Sequence, residues 1–258
     1  VLEATVKLSR ASLRVLRSNP RLIAFPLMSV AAILLIVVVT LPLLVANPSW
    51  PWILLFVFGV HMSALFFEAA LCHESLRCLN GGSPGIKSGI VAASGSLASI
   101  ATLTLISSTI GLALAVSGRS TRTSIRFARR IASTAWSLVT YFAVPVMVQE
   151  RRGGLASLRR SGQLFRSVWG ETTLAEVGLR ALASQLTSLA FLVAIVLLSL
   201  FGDSILLIVV VVAALTALMS VIGALEAVYR AAMYIFAAEG VVPKPFAGPE
   251  LDDIWRTR

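Results

Sequence analysis

Four residues of this chain place ionisable side chains in apolar surroundings at spacings that could support proton or cation chemistry. His61 and Glu68 lie seven apart in FGVHMSALFFEAALC, so a helix would put them on one face, with Cys72 a turn further. Glu226 and Arg230 in GALEAVYR are four apart, the spacing of an ion pair along a helix. Ionisable groups inside apolar runs are costly to bury and mark functional candidates. One reading is a proton or cation path through His61, Glu68 and Glu226. The plainer one, favoured here, is that Glu226 and Arg230 neutralise each other near a membrane interface while Glu68 hydrogen-bonds a neighbouring helix. Transporters usually show broken helices in matching positions and several polar groups at mid-depth.

Other chemistry is poorly supported. ALCHESLRC offers Cys72, His73, Glu74 and Cys78, but the spacing matches no zinc pattern, and no metal or cofactor site is expected. Two cysteines define no disulfide framework. GGSPG at 81–85 fits GxSxG by letter only, with no strand before it to form a nucleophile elbow, and it lacks the Lys that follows a phosphate loop. An enzyme is not expected.

The elements that must carry these residues follow from composition. The 258 residues are 57% hydrophobic and 13% charged, with a mean hydropathy of +0.90. A soluble domain has about a quarter of its residues charged, so most of this surface must meet lipid. Six apolar runs stand out: Leu22–Ala46, Trp52–Leu71, Ile90–Val116, Ile131–Val148, Leu182–Phe201 and Ile205–Phe236. Each is near the roughly 20 residues that cross a bilayer, and backbone in lipid must be helical. NPSWP at 47–51 and GDS at 202–204 read as tips of helical hairpins. The third run is rich in Gly, Ser, Ala and Thr, which permit close helix approach, and is expected to span as one helix. Pro26, Pro42 and Pro145 are expected to kink spans.

The fold class expected is an all-α polytopic membrane bundle of about six transmembrane helices with amphipathic interfacial helices. Residues 1–20 form a basic interfacial helix and 21–149 four spans. Residues 150–171 form a second interfacial helix, 172–237 two spans and 238–258 a cytoplasmic tail. In the first interfacial helix, Lys7, Arg10, Arg14 and Arg17 recur at steps of three and four. In the second, Arg159, Arg160 and Arg166 oppose Leu155, Leu158, Phe165, Val168 and Trp169, after Arg151, Arg152 and the Gly153–Gly154 turn. Such helices lie with apolar sides at the acyl boundary and Arg among anionic headgroups. The two basic helices, each followed by a hairpin of spans, suggest a direct repeat. With the N-terminus inside, most Lys and Arg fall on the cytoplasmic side, leaving Arg119, Arg122, Arg126, Arg129 and Arg130 outside. That outer cluster reads as an interfacial helix start with snorkelling arginines.

AWSLVTYFAVPVMVQE, followed by SLRRSGQLFRSVWGE, resembles a family of prokaryotic multi-spanning membrane proteins known only as a domain of unknown function. More distantly it is similar to the membrane domain beside some glycerophosphodiester phosphodiesterases. The resemblance covers most of the chain, with its specific part at 135–171. It implies an all-helical bundle of about six spans and brings no catalytic residues; the phosphodiesterase chemistry belongs to a separate soluble domain.

The function expected is therefore a non-enzymatic integral membrane protein of the prokaryotic inner membrane, with both termini cytoplasmic. It acts as a scaffold or accessory subunit and grips anionic lipid. Its partners are lipid headgroups and either further copies of itself or other membrane subunits. The net charge of +10 then serves lipid rather than nucleic acid. The alternative is a transporter or channel for a small or lipid-like solute using Glu68, His61 and Glu226.

Overall fold

A computed structural model describes residues 2–47, 49–117, 123–167, 183–195 and 205–248. Its helices are α1 (Leu2–Ser18), α2 (Ala24–Ala46), α3 (Trp50–Leu79), α4 (Ile86–Ser94), α5 (Leu97–Ser117), α6 (Thr123–Thr140), α7 (Ala143–Gln149) and α8 (Gly154–Ser167). α9 (Ala183–Ile195) and α10 (Ile205–Glu239) follow. Short 3-10 turns at Pro20–Ile23 and Lys244–Phe246 complete the described residues, which contain no strand.

Five segments are long and apolar enough to cross a membrane: Pro20–Ala46, Trp50–Leu79, Leu97–Leu114, Ile131–Gln149 and Val209–Glu239. The chain is an all-α, multi-pass membrane protein. The run Leu182–Phe201 is described only over Ala183–Ile195, and the GDS turn after it lies outside the described residues.

Two spans are interrupted where the sequence reading made them continuous. The third run divides at Gly95–Ser96 into α4 and α5; α5 alone remains long enough to cross. The fourth breaks at Tyr141–Phe142, between α6 and α7. Pro145 explains this second break. It has no N–H to give the carbonyl of Tyr141 four residues back, and its ring crowds that carbonyl. The buried N–H of Phe142 donates instead to Ser161 Oγ of α8, at 2.9 Å. Pro42, by contrast, sits within unbroken α2, and Pro26 lies in the first turn, where a missing N–H is harmless.

The packed core gathers at one end, here called the basic end. Ala69, Ala70, Phe142, Val146, Ala224, Val228 and Ala231 are buried there among α3, α7 and α10. Small residues allow the approach. A Cβ on Gly89 of α4 would fall 2.7 Å from Phe25 Cζ and 3.1 Å from the Ala70 carbonyl oxygen. Glu74, fully buried, accepts from the N–H of Gly85 at 2.8 Å and fixes the turn that starts α4. At the opposite, hairpin end, Leu34, Leu35, Val38, Val39 and Val45 of α2 are exposed.

Both basic helices turn most of their apolar sides onto protein rather than onto the acyl boundary expected for them, with Val6 and Leu155 left exposed. Leu8, Ala11, Val15 and Leu16 of α1 are buried, against α10 and the turn at Lys244–Phe246. Leu158, Leu164 and Phe165 of α8 are buried, among α5, α6, α7 and α10. Phe246 is fully buried, so the first part of the 238–258 tail is docked. Its acidic end, the segment 168–171 with Trp169, and Arg119 and Arg122 lie outside the described residues.

Candidate functional site

The intramembrane polar residues converge on one partition. α3 carries Glu68 and α10 carries Arg230, and the two form a direct ion pair. Arg230 was expected to pair with Glu226 on its own helix; the structure corrects this, because α10 packs against α3 and brings Glu68 within reach. The side chains are 32% and 20% exposed, so the pair is only partly desolvated. Tyr141, at the break between α6 and α7, presents its ring 5.5 Å from the Arg230 guanidinium carbon, a cation–π distance.

A cavity lies on each side of this pair. The first, about 250 Å³, is lined by His61, Ser107, Trp136, Ser137, Thr140 and Tyr141 beside Glu68 and Arg230. Leu65, Leu103 and Val144 supply its apolar wall. The second, also about 250 Å³, is bounded by Ser29, Gly223 and Glu226 with the same Glu68 and Arg230. Thus His61 and Glu226 flank the partition from opposite sides. Of the sequence-derived cluster, His61, Glu68 and Arg230 share one chamber, and Glu226 joins Glu68 and Arg230 in the other. Cys72 is buried near the pair but lines neither.

Sequence reading missed the wall from α6: Trp136, Ser137 and Thr140. Their i, i+1, i+4 spacing resembled ordinary helix surface, and only the break at Tyr141 aims that face at Glu68. Pro145, already singled out as a kink, was the signal that could have located it.

A third feature lies outside the bundle. α6 and α8 enclose a groove of about 470 Å³. Ala135, Leu138, Val139, Leu158 and Phe165 form an apolar wall, while Arg159, Gln163 and Arg166 stand on its rim. Both arginines are exposed. Arg160 is not available in the same way, because Glu150 accepts from it at 3.3 Å. Glu150 also accepts from Arg152 and from Tyr234 of α10, tying α7, α8 and α10 together. Partial burial pushes the Glu150 carboxyl up, but hydrogen bonds and charge from Arg152 and Arg160 outweigh it and hold the group below the usual carboxylate range. Arg10, Arg14, Arg17 and Arg151 are exposed and Lys7 is half-buried. Among the described residues no three His, Cys, Asp or Glu side chains are grouped to hold a metal.

Among known proteins, the model of a family described as a family of unknown function (DUF6159) matches residues 49–243. No curated protein and no solved structure matches the chain. The matched stretch contains every residue lining the first cavity, whereas α1 and α2 precede it.

Proposed function

The chain belongs to DUF6159, a family of unknown function, and from that premise we propose that it is a non-enzymatic membrane scaffold whose basic end holds anionic lipid. The observation that carries this reading is the groove between α6 and α8. An acyl chain would lie along Leu138, Val139, Leu158 and Phe165, with its phosphate between Arg159 and Arg166. Arginine suits that role through its planar, permanently charged fork. Arg151 beside it, with Lys7, Arg10, Arg14 and Arg17 on α1, extends the cationic surface, while Arg152, like Arg160, is held by Glu150. Because α1 and α8 rest most of their apolar sides on protein, their charges are positioned by the fold. The Lys and Arg bias supports a cytoplasmic position for this end and for both termini, and the membrane in this reading is a prokaryotic inner membrane. Exposed apolar surface toward the hairpin end would meet lipid, further copies of the chain or other membrane subunits.

The test is the double variant Arg159→Gln/Arg166→Gln, which spares the Glu150–Arg160 contact. Native mass spectrometry of protein taken from mixed nanodiscs should show anionic phospholipid retained by the parent and lost by the variant. Equal retention would defeat the reading.

A second reading, transport of a small or lipid-like solute, is favoured by the polar cavity beside His61 and by the break between α6 and α7. Solute flux abolished by Glu226→Gln, with folding intact, would support it; flux indistinguishable from empty vesicles would not.

A further inference from the structure

The donor and acceptor inventory of the first cavity selects among ligands. His61 Nδ1 lies 3.2 Å from the carbonyl oxygen of Val57. A carbonyl only accepts, so in the neutral ring Nδ1 carries the proton and Nε2 is an acceptor. Ser137 and Thr140 donate to the carbonyls of Ser133 and Trp136 at 3.0 and 2.8 Å. What those hydroxyls have left to offer is oxygen lone pairs. Glu68 adds a carboxylate, and Trp136 and Tyr141 add aromatic faces. Ser107, the indole N–H of Trp136 and the hydroxyl of Tyr141 add donors. What the wall offers a cation is therefore one carboxylate, the imidazole and hydroxyl lone pairs and π surface, and its guanidinium already donates to Glu68.

Charge points the same way. Glu68 and Glu226 border a partition that contains the single cation Arg230, so the cluster carries one negative charge in excess when His is neutral. Arg230 Nε is buried with no hydrogen-bond partner, so the guanidinium is not saturated by Glu68. Glu226, one turn back on α10, stands at the spacing at which Arg230 can take it as an alternative partner.

We propose that the cavity between α3, α5, α6 and α10 binds a small organic ammonium ion, with Glu68 as its counter-ion and Arg230 transferred to Glu226. An anion would face the Glu68 carboxylate, with Glu226 behind the partition. A hard metal ion would want oxygen ligands throughout, whereas imidazole and aromatic rings form part of this wall. At about 250 Å³ the chamber falls below the roughly 300–1,000 Å³ of drug-sized sites, so the ligand is a short amine. Since Glu68 and Arg230 wall both chambers, the exchange of partners also joins them. The site does not depend on the lipid groove, and binding and crossing are separate measurements.

Butylammonium titrated by calorimetry into the full chain in nanodiscs of zwitterionic lipid tests this, with butanol and butyrate as neutral and anionic isosteres. The neutral-charge bilayer keeps the outcome separate from anionic-lipid binding. Saturable binding of butylammonium alone is expected. Because Glu68→Gln removes the counter-ion and the resting partner of Arg230 at once, the variants are Glu226→Gln, which removes the alternative partner, and His61→Phe, which fills the chamber and keeps the ion pair. Each should weaken binding about tenfold or more, the loss expected for one contact to an ion. No saturable butylammonium binding, equal binding of butyrate or butanol, or undiminished affinity in either variant overturns the proposal.

Discussion

At the basic end, Ala69, Phe142, Val146 and Val228 are fully covered by neighbouring helices, while toward the hairpin turn Val38 and Val45 are 68% and 76% exposed. Both regions are apolar, so hydrophobicity does not explain the difference. Lipid tails solvate an exposed valine about as well as another helix does, and helices in a bilayer associate through close packing and polar contacts. The basic end has both: alanine and glycine faces, the Glu68–Arg230 pair, the Ser161 contact at the broken span, and Glu150 at a three-helix junction. The hairpin end has long aliphatic side chains and few such contacts. The polar chambers border the packed end because only there is a fixed wall available to hold charged groups in place.

That contrast can be tested by paired substitutions. Glu68→Leu breaks the α3–α10 ion pair and leaves Arg230 only Glu226 on its own helix; it should destabilise the protein by about 3 kcal/mol, the low end for breaking a buried pair because Glu68 is 32% exposed. Unfolding in nanodiscs measures it, and Val38→Ala at the other end should stay within about 0.5 kcal/mol. Next in size, Gly89→Ala drives a methyl into Phe25 and the Ala70 carbonyl and should cost about 1–3 kcal/mol. Gly111→Ala, with no atom within 4 Å of its added Cβ, should instead be neutral or stabilising by up to about 1 kcal/mol, the helix preference of alanine. Similar losses at both glycines would erase the distinction between the two ends.

Ser161→Ala removes the acceptor for the Phe142 N–H and should cost about 1–2 kcal/mol. Amide exchange at Phe142 should quicken, while amides in α2 stay unchanged. The smallest effect is acid sensitivity through Glu150. Its folded carboxyl titrates below the usual range, so its contribution is complete above the ordinary carboxylate pKa and disappears as pH falls through the lowered folded value. Glu150→Gln should flatten that part of the pH–stability curve by less than about 1 kcal/mol, since the contacting arginines are partly exposed. An unchanged acid slope would remove Glu150 from the account.

Much of the molecule was readable along the chain. The membrane class, the extents of α2 and α10, and the basic stripes of α1 and α8 depend on hydropathy and helical period, which are local properties; α3 runs on from the expected Leu71 to Leu79. His61, Glu68, Glu226 and Arg230 could also be named, because a charge in an apolar run is conspicuous. Their partners could not. Glu226 looked like the mate of Arg230 because it is four residues away, yet Glu68, 162 residues away, holds it. Nor did the sequence disclose that Pro145 breaks its span while Pro42 does not, or that α1 and α8 rest most of their apolar sides on protein. A side chain's partner depends on which helix faces it and at what rotation and depth. Those are set by packing between distant segments, so only the tertiary structure decided them.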